Sequence, residues 1–88
     1  MISIRQTDVA NIIRLEWLAQ LGAVRDKIRW FEHKYFCSFA EFEVRVKAGD
    51  ENFEEWDDYM EWKAYEKVRH DLQHDITELQ HGNFEITR

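Results

Sequence analysis

Proline is absent from this 88-residue chain, and glycine occurs only three times. Because these residues interrupt helices, their scarcity favours long helices joined by few turns. A single cysteine, Cys37, excludes an internal disulfide and fits a reducing cytoplasm. No apolar run approaches the roughly 20 residues that span a bilayer, and the N-terminal MISIRQTD reaches charge too soon for a signal peptide. We therefore expect one cytoplasmic helical domain over residues 1–88, with no membrane partner.

Basic residues are also scarce, with 12 Lys and Arg against 18 Asp and Glu and a net charge of −6. The imbalance is concentrated between Glu41 and Glu66, where ten acids and three bases give −7. Since phosphate contacts need clustered Lys and Arg, no direct nucleic-acid partner is expected. The acidic segment is either a solvated helix face or a surface that suits a basic protein partner.

Two long stretches carry helical periodicity, in a chain whose 44% hydrophobic content is too high for an unstructured polypeptide. In Phe53–His81 the apolar residues recur at steps of three and four, which is typical of one helix face. They are Trp56, Tyr59, Trp62, Tyr65, Val68, Leu72, Ile76 and Leu79. In Asp8–Phe36 the steps alternate between 4 and 3 from Trp17 to Tyr35, a heptad-like seam for packing on another helix.

Cap signals divide the chain into three helices. Ser38 followed by Glu41 has the spacing of a capping box, which predicts a short corner helix over Phe39–Ala48. Asn52 followed by Glu55 repeats that spacing at the start of the second long helix. Thr7 or Asp8 is expected to cap the first helix, while Gly49 and Gly82 end the second and third.

The two long helices are each 29 residues, or about 43 Å, and a compact corner between equal helices predicts an antiparallel hairpin. Leu15, Leu18 and Trp30 lie off the heptad seam, so the first helix keeps a second apolar edge. We expect another chain to cover that edge, as a homodimeric four-helix bundle or as a complex. Residues 2–6 and 84–88 alternate like short strands, and would pair with each other or with a partner.

Two patterns near the C-terminus suggest chemistry. Arg69 and His74 have the spacing seen in the signature of the HEPN family of all-helical ribonucleases, which this segment resembles. In such an enzyme Arg69 would stabilise phosphate charge and His74 would transfer protons, generally at a dimer interface. His70 and His74 lie one helical turn apart, which makes a metal site a further alternative. Solvent-exposed histidines are the favoured interpretation, so we expect no catalytic residues, metal or cofactor.

The middle of the chain, Lys34–Tyr65, is similar to small prokaryotic helical proteins of the antitoxin type. These proteins carry a KYG-SFEEFE corner followed by a DYxEWEA helix start. The matching residues are Tyr35, Ser38, Phe39, Glu41, Phe42, Glu43, Asp58, Tyr59, Glu61, Trp62 and Ala64, with Phe36-Cys37 departing from the usual glycine. The resemblance implies a binding protein that masks a toxin-like partner rather than a catalyst.

The predicted partner-binding surface is the aromatic and acidic start of the second long helix. It consists of Trp56, Asp57, Asp58, Tyr59, Glu61 and Trp62. The aromatic side chains would supply desolvated contact area, and the acids would speed encounter with a basic site on the partner. Two alternatives remain open: these aromatic residues only fill the helical core, or the protein is a purely structural dimeric bundle.

Overall fold

Three helices account for nearly all of the chain that the computed structural model describes, namely residues 6–49 and 52–81. Helix α1 spans Gln6–Tyr35, α2 spans Phe39–Ala48 and α3 spans Phe53–Gln80. Helices α1 and α3 pack along each other, and α2 packs on α3 at the corner. The molecule is a rod of 61 × 19 × 19 Å. The predicted all-α hairpin with a short corner helix is confirmed, and the described ranges contain no strand.

The ends of the long helices differ slightly from the sequence predictions. Helix α1 begins at Gln6, so Asp8 lies inside its first turn and the prediction that Thr7 or Asp8 caps the helix is wrong. Helix α3 ends at Gln80, one residue earlier than expected. Gln6 is helical, whereas the rest of the predicted strands at 2–6 and 84–88 lies outside the described residues, as does Gly82.

Both predicted caps at the corner are present. The Ser38 hydroxyl oxygen accepts the Glu41 amide at 3.3 Å and donates to the Glu41 carboxylate at 3.2 Å. The Asn52 side-chain oxygen accepts the Glu55 amide at 3.2 Å. Each cap satisfies an amide that has no partner within its own helix, which stabilises a helix start by about 1 kcal/mol. Caps therefore determine where α2 and α3 begin.

Core contacts show that α1 and α3 are antiparallel. Leu21, in the middle of α1, packs with Leu72 and Ile76 in the second half of α3. Phe31, near the end of α1, stacks on Trp62 in the first half of α3, with 5.5 Å between ring centroids. Contact positions thus advance along α1 as they recede along α3, as in a helical hairpin.

The largest buried cluster lies at the corner and centres on Trp62, whose side chain is 0% exposed. Its ring is 5.5 Å from that of Phe31, 5.3 Å from Phe42 and 5.5 Å from Phe39, centroid to centroid. Because these rings come from all three helices, one side chain joins α1, α2 and α3. Buried aromatic pairs of this kind add to the energy of area burial. The corner consequently holds the larger of the two buried clusters in the described part of the chain.

The residue that follows helix α1 is strained. Phe36 has φ of 55°, which makes it the one described non-glycine residue in the left-handed region. A residue with a Cβ atom pays about 1–2 kcal/mol for this conformation, which glycine adopts freely. The Phe36 side chain is 91% exposed, so packing does not offset the strain. The departure from the glycine of the resembled motif falls at this position.

We expect Phe36→Gly to raise the free energy of unfolding by about 1 kcal/mol, because it removes the left-handed strain and almost no buried contact. Urea unfolding followed by circular dichroism measures the change. Phe36→Ala is the matched control: it keeps the Cβ atom and should stay within about 0.5 kcal/mol of the parent. If the glycine variant were less stable than the alanine variant, the prediction of backbone strain at Phe36 would be contradicted.

Candidate partner-binding surface

The six residues predicted to bind a partner do not share one face. Tyr59 and Trp62 are buried and belong to the corner cluster, so they offer a partner no surface in this conformation. Trp56, Asp57 and Glu61 are exposed. The reason is helical geometry. Three residues turn the helix by 300°, which is 60° short of a full turn, so each step of three rotates the side chain by about 60° around the helix axis. Trp56 and Trp62 therefore point about 120° apart.

The Asp58 carboxylate has hydrogen-bond partners within the chain. It accepts hydrogen bonds from the Lys34 ammonium at 2.7 Å and from the Tyr35 hydroxyl. Lys34 also donates to Glu54 at 2.9 Å. The two carboxylates, Asp58 first, hold the pKa of Lys34 above its ordinary value. This network ties the end of α1 to the start of α3.

Tyr35 makes the corner network sensitive to alkaline pH. Burial, together with the hydrogen bond to Asp58, raises its pKa from 10.0 to about 12. The folded-state pKa is the higher one, so its contribution is complete below pH 10.0 and lost as pH rises through about 12. We expect the parent to lose stability over this window more steeply than Tyr35→Phe, which has no hydroxyl to ionise. Urea midpoints measured across the window would test this, and equal slopes would contradict it.

Other acids near the corner also have partners within the chain. The Tyr59 hydroxyl donates to Glu43 at 2.7 Å, which lowers the pKa of that carboxyl. Arg45 pairs with Glu55. These contacts link α2 to α3, so much of the acidity of the segment serves the hairpin itself. Asp57 is exposed on the side of α3 away from the packed helices, and Glu61, also exposed, accepts a hydrogen bond from the Tyr65 hydroxyl at 3.4 Å.

An exposed apolar row runs along the first half of α3. Phe53 is 82% exposed, Trp56 48% and Met60 53%. Steps of three and four place them above one another, and Ala64, also exposed, continues the row. These four residues, here called the outer stripe, lie on the side of α3 opposite Trp62 and the packed helices. At 100° per residue, Asp57 and Glu61 flank one edge of the stripe and Lys63 flanks the other, while Lys67 lies in line with Met60 and follows the end of the stripe.

Sequence reasoning missed Phe53 and Met60 as surface residues. The available signal was the 3, 4, 4 spacing from Phe53 through Trp56 and Met60 to Ala64, a second helical row beside the core face. The sequence prediction groups Trp56 with Tyr59 and Trp62 because Trp56 also lies three residues from Tyr59. The structure places Trp56 in the outer stripe, on its side nearest Tyr59, with 5.5 Å between the centroids of the two rings.

Arg69 and His74, the residues of the ribonuclease alternative, point in different directions on α3 within one chain. Arg69 is partly buried beside α1 and contacts Glu66 at 3.0 Å and Gln73 at 3.3 Å. His74 is exposed, and five residues of helix turn it about 140° away from Arg69. His70 is exposed as well. Within residues 6–49 and 52–81, no group of three or more His, Cys, Asp or Glu is arranged to hold a metal ion.

Comparison with known proteins finds no matching family model, curated protein or solved structure. None of the described helices has the length and apolar character of a membrane span. The antitoxin-like resemblance of Lys34–Tyr65 therefore stays a prediction. The feature that points to function is the outer stripe of α3, an aromatic and apolar row that the hairpin itself does not cover.

Proposed function

We propose that the protein is an interaction module whose outer stripe binds and masks a partner protein. The observation that carries the proposal is the exposure of Phe53, Trp56 and Met60 in one row on α3. Contiguous apolar surface of this kind marks binding sites in soluble proteins. Aromatic residues and methionine are enriched at protein interfaces, where a few such side chains supply most of the binding energy.

The borders of the stripe favour a partner with charge on both sides of an apolar row. Asp57 and Glu61 would face basic residues, as an antitoxin-like protein would face a basic toxin-like partner. Lys63 on the opposite border and Lys67 beyond the end of the stripe favour acids on the partner at those places. Charges at a rim mainly increase the association rate and select orientation, while the buried apolar contacts determine the dissociation rate.

The proposed module also works as a homodimer. Ile12, Leu15 and Leu18 are large apolar side chains exposed on α1, and α3 covers none of them. A hairpin this small gains stability when a second copy covers such a surface. The homodimer would form through α1, and the partner protein would bind to α3. The two interfaces are therefore separate.

Capture from a native lysate at low and high salt is the experiment that tests the proposal. The untagged chain, immobilised through its termini, should retain one protein whose surface pairs charge with an apolar groove or helix, and high salt should weaken its capture. The Trp56→Ala chain should lose it. Val44→Ala is the matched control, since Val44 is 68% exposed, more than Trp56, but lies on α2. Recovery of the chain's own dimer alone at both salt concentrations would favour a purely structural bundle instead.

A further inference from the structure

An open groove of about 350 Å³ lies between α1 and α3, beside the corner cluster. Its lining residues are Arg25, Ile28, Arg29 and Glu32 on α1 and Glu66 and Arg69 on α3. Ile28 belongs to the buried corner cluster, so the groove, here called the arginine groove, has a packed apolar side. Arg69 follows Met60 by nine residues, which turns α3 by 900° and places Arg69 about 180° from the middle of the outer stripe. The arginine groove is therefore separate from the proposed partner-binding surface.

Two of the three guanidinium groups in the groove have little to bind within the chain. Arg25 has neither a hydrogen bond nor an ion pair with any residue in 6–49 or 52–81. Arg29 approaches Asp26 only at 3.7 Å, and both side chains are largely exposed, so this pair contributes little. Arg25 and Arg29 lie four residues apart on one helix face, where like charges repel each other. An anion bound between them would remove that repulsion.

The third guanidinium group is held in place by contacts on its own helix. Arg69 donates from Nη2 to Glu66 at 3.0 Å and from Nη1 to Gln73 at 3.3 Å. These contacts use two of the five N–H donors of the guanidinium group, so donors remain for a ligand. The ion pair also offsets the charge of Glu66, one of the two acids in the groove. Arg69 thus completes a set of donors that comes from both long helices.

We propose that the arginine groove binds a small phosphorylated molecule, with its phosphoryl group against Arg25, Arg29 and Arg69. The planar guanidinium fork matches phosphate oxygens, and such charge-assisted hydrogen bonds are strong. A phosphoryl group presents three oxygens in different directions and can accept donors from two helices at once, whereas a carboxylate presents two oxygens in one plane. The groove volume is at the lower end of the range of small-molecule sites. With a net charge of −6, the chain disfavours a long polyanion, so a small ligand is the better match.

Glu32 determines which kind of phosphorylated molecule fits. Its carboxylate has no hydrogen bond or ion pair with the rest of the described chain, although it lies three residues from Arg29 on the same helix. A bare phosphate would be repelled by this carboxylate. A ligand that carries hydroxyl groups beside its phosphoryl group can donate to Glu32 while the arginines bind the phosphate. The combination favours a sugar phosphate over an inorganic anion.

Isothermal titration calorimetry of the full chain with ribose 5-phosphate, at constant ionic strength, tests the site. We expect saturable one-to-one binding with a dissociation constant of about 1 mM or lower. Inorganic phosphate should bind more weakly, and ribose should not bind. The absence of saturable binding by ribose 5-phosphate would overturn the proposal. Equal affinities for ribose 5-phosphate and inorganic phosphate would overturn the preference for a sugar phosphate.

Arg25→Gln should weaken ribose 5-phosphate binding by at least about tenfold, because it removes a charged donor that the chain leaves unpaired. Lys27→Gln is the matched control. It removes the same charge from an exposed position on α1, but two residues turn that side chain by 200° away from Arg25, so the affinity should change by less than about twofold. Equal losses in the two variants would mean that only the overall charge matters, and would overturn the site. Urea unfolding confirms that both variants fold.

Glu32→Gln separates a built site from general electrostatic attraction. Removing the carboxylate should strengthen binding of inorganic phosphate and weaken binding of ribose 5-phosphate, which loses its hydroxyl acceptor. If the affinities for both ligands rose by the same factor, the role of Glu32 would be overturned. The inference is independent of the proposed function, since Trp56 lies in the outer stripe and Trp56→Ala should bind ribose 5-phosphate as the parent does. A loss of that binding in Trp56→Ala would contradict the separation of the two surfaces.

Discussion

Replacing Trp62 by alanine is expected to lower the free energy of unfolding by about 3–5 kcal/mol. The Trp62 side chain is 0% exposed and packs against rings from α1 and α2, so its removal leaves a cavity that joins all three helices. Domains this small have total stabilities of roughly 5–10 kcal/mol. Urea unfolding followed by far-ultraviolet circular dichroism should show a chain that is close to its unfolding midpoint without denaturant.

Trp56 provides a matched control for this result. It is the same residue type on the same helix, but its side chain is 48% exposed. Trp56→Ala should change the free energy of unfolding by no more than about 1 kcal/mol. If the two alanine variants lost similar amounts of unfolding free energy, α3 would have to bury a different face from the one described. The Trp62 indole nitrogen is buried without a hydrogen-bond partner, so Trp62→Phe should be far milder than Trp62→Ala.

The second large effect is on binding rather than stability. Replacing both Trp56 and Met60 by alanine should weaken binding of the captured partner by at least about 100-fold, mainly through faster dissociation. These side chains form the middle of the outer stripe, where a partner would exclude water from both. Isothermal titration calorimetry with the isolated partner measures the change, and urea unfolding confirms that the variant folds.

The control for the binding prediction is Val44→Ala. Val44 is exposed on α2 and lies outside the outer stripe, so its truncation should leave the affinity within about twofold of the parent. An unchanged affinity in the Trp56 and Met60 double variant would place the partner elsewhere on the molecule. A loss in the Val44 variant as well would extend the interface to the corner helix.

Most of the fold follows from local signals in the sequence. The Ser38 and Asn52 caps mark where α2 and α3 begin, and the seam residues Leu21, Ile28 and Phe31 are all buried. Periodicity and capping depend on neighbours within one or two turns, which a sequence displays directly. The start of α1 was less predictable, since a helix end can shift by one or two residues at small energetic cost.

Which aromatic residues of α3 are buried and which are exposed depends instead on tertiary structure. Tyr59 is buried because α2 folds back over it, with the Phe39 and Tyr59 rings stacked at 5.7 Å. Without the position of α2, nothing local distinguishes Tyr59 from Trp56. The acids present the same difficulty, because Lys34 and Asp58 are 24 positions apart and meet only through the hairpin. Long-range pairing therefore decides which aromatic and acidic side chains remain for a partner.

Hydroxyl-radical footprinting of the chain, alone and bound to the captured partner, tests the central claim most directly. In the free chain Trp56 and Met60 should be oxidised readily, whereas Trp62 should react slowly. In the complex Trp56 and Met60 should become protected, with Trp62 unchanged. Equal reactivity of Trp56 and Met60 in the free and bound states would contradict the assignment of the outer stripe as the partner-binding surface.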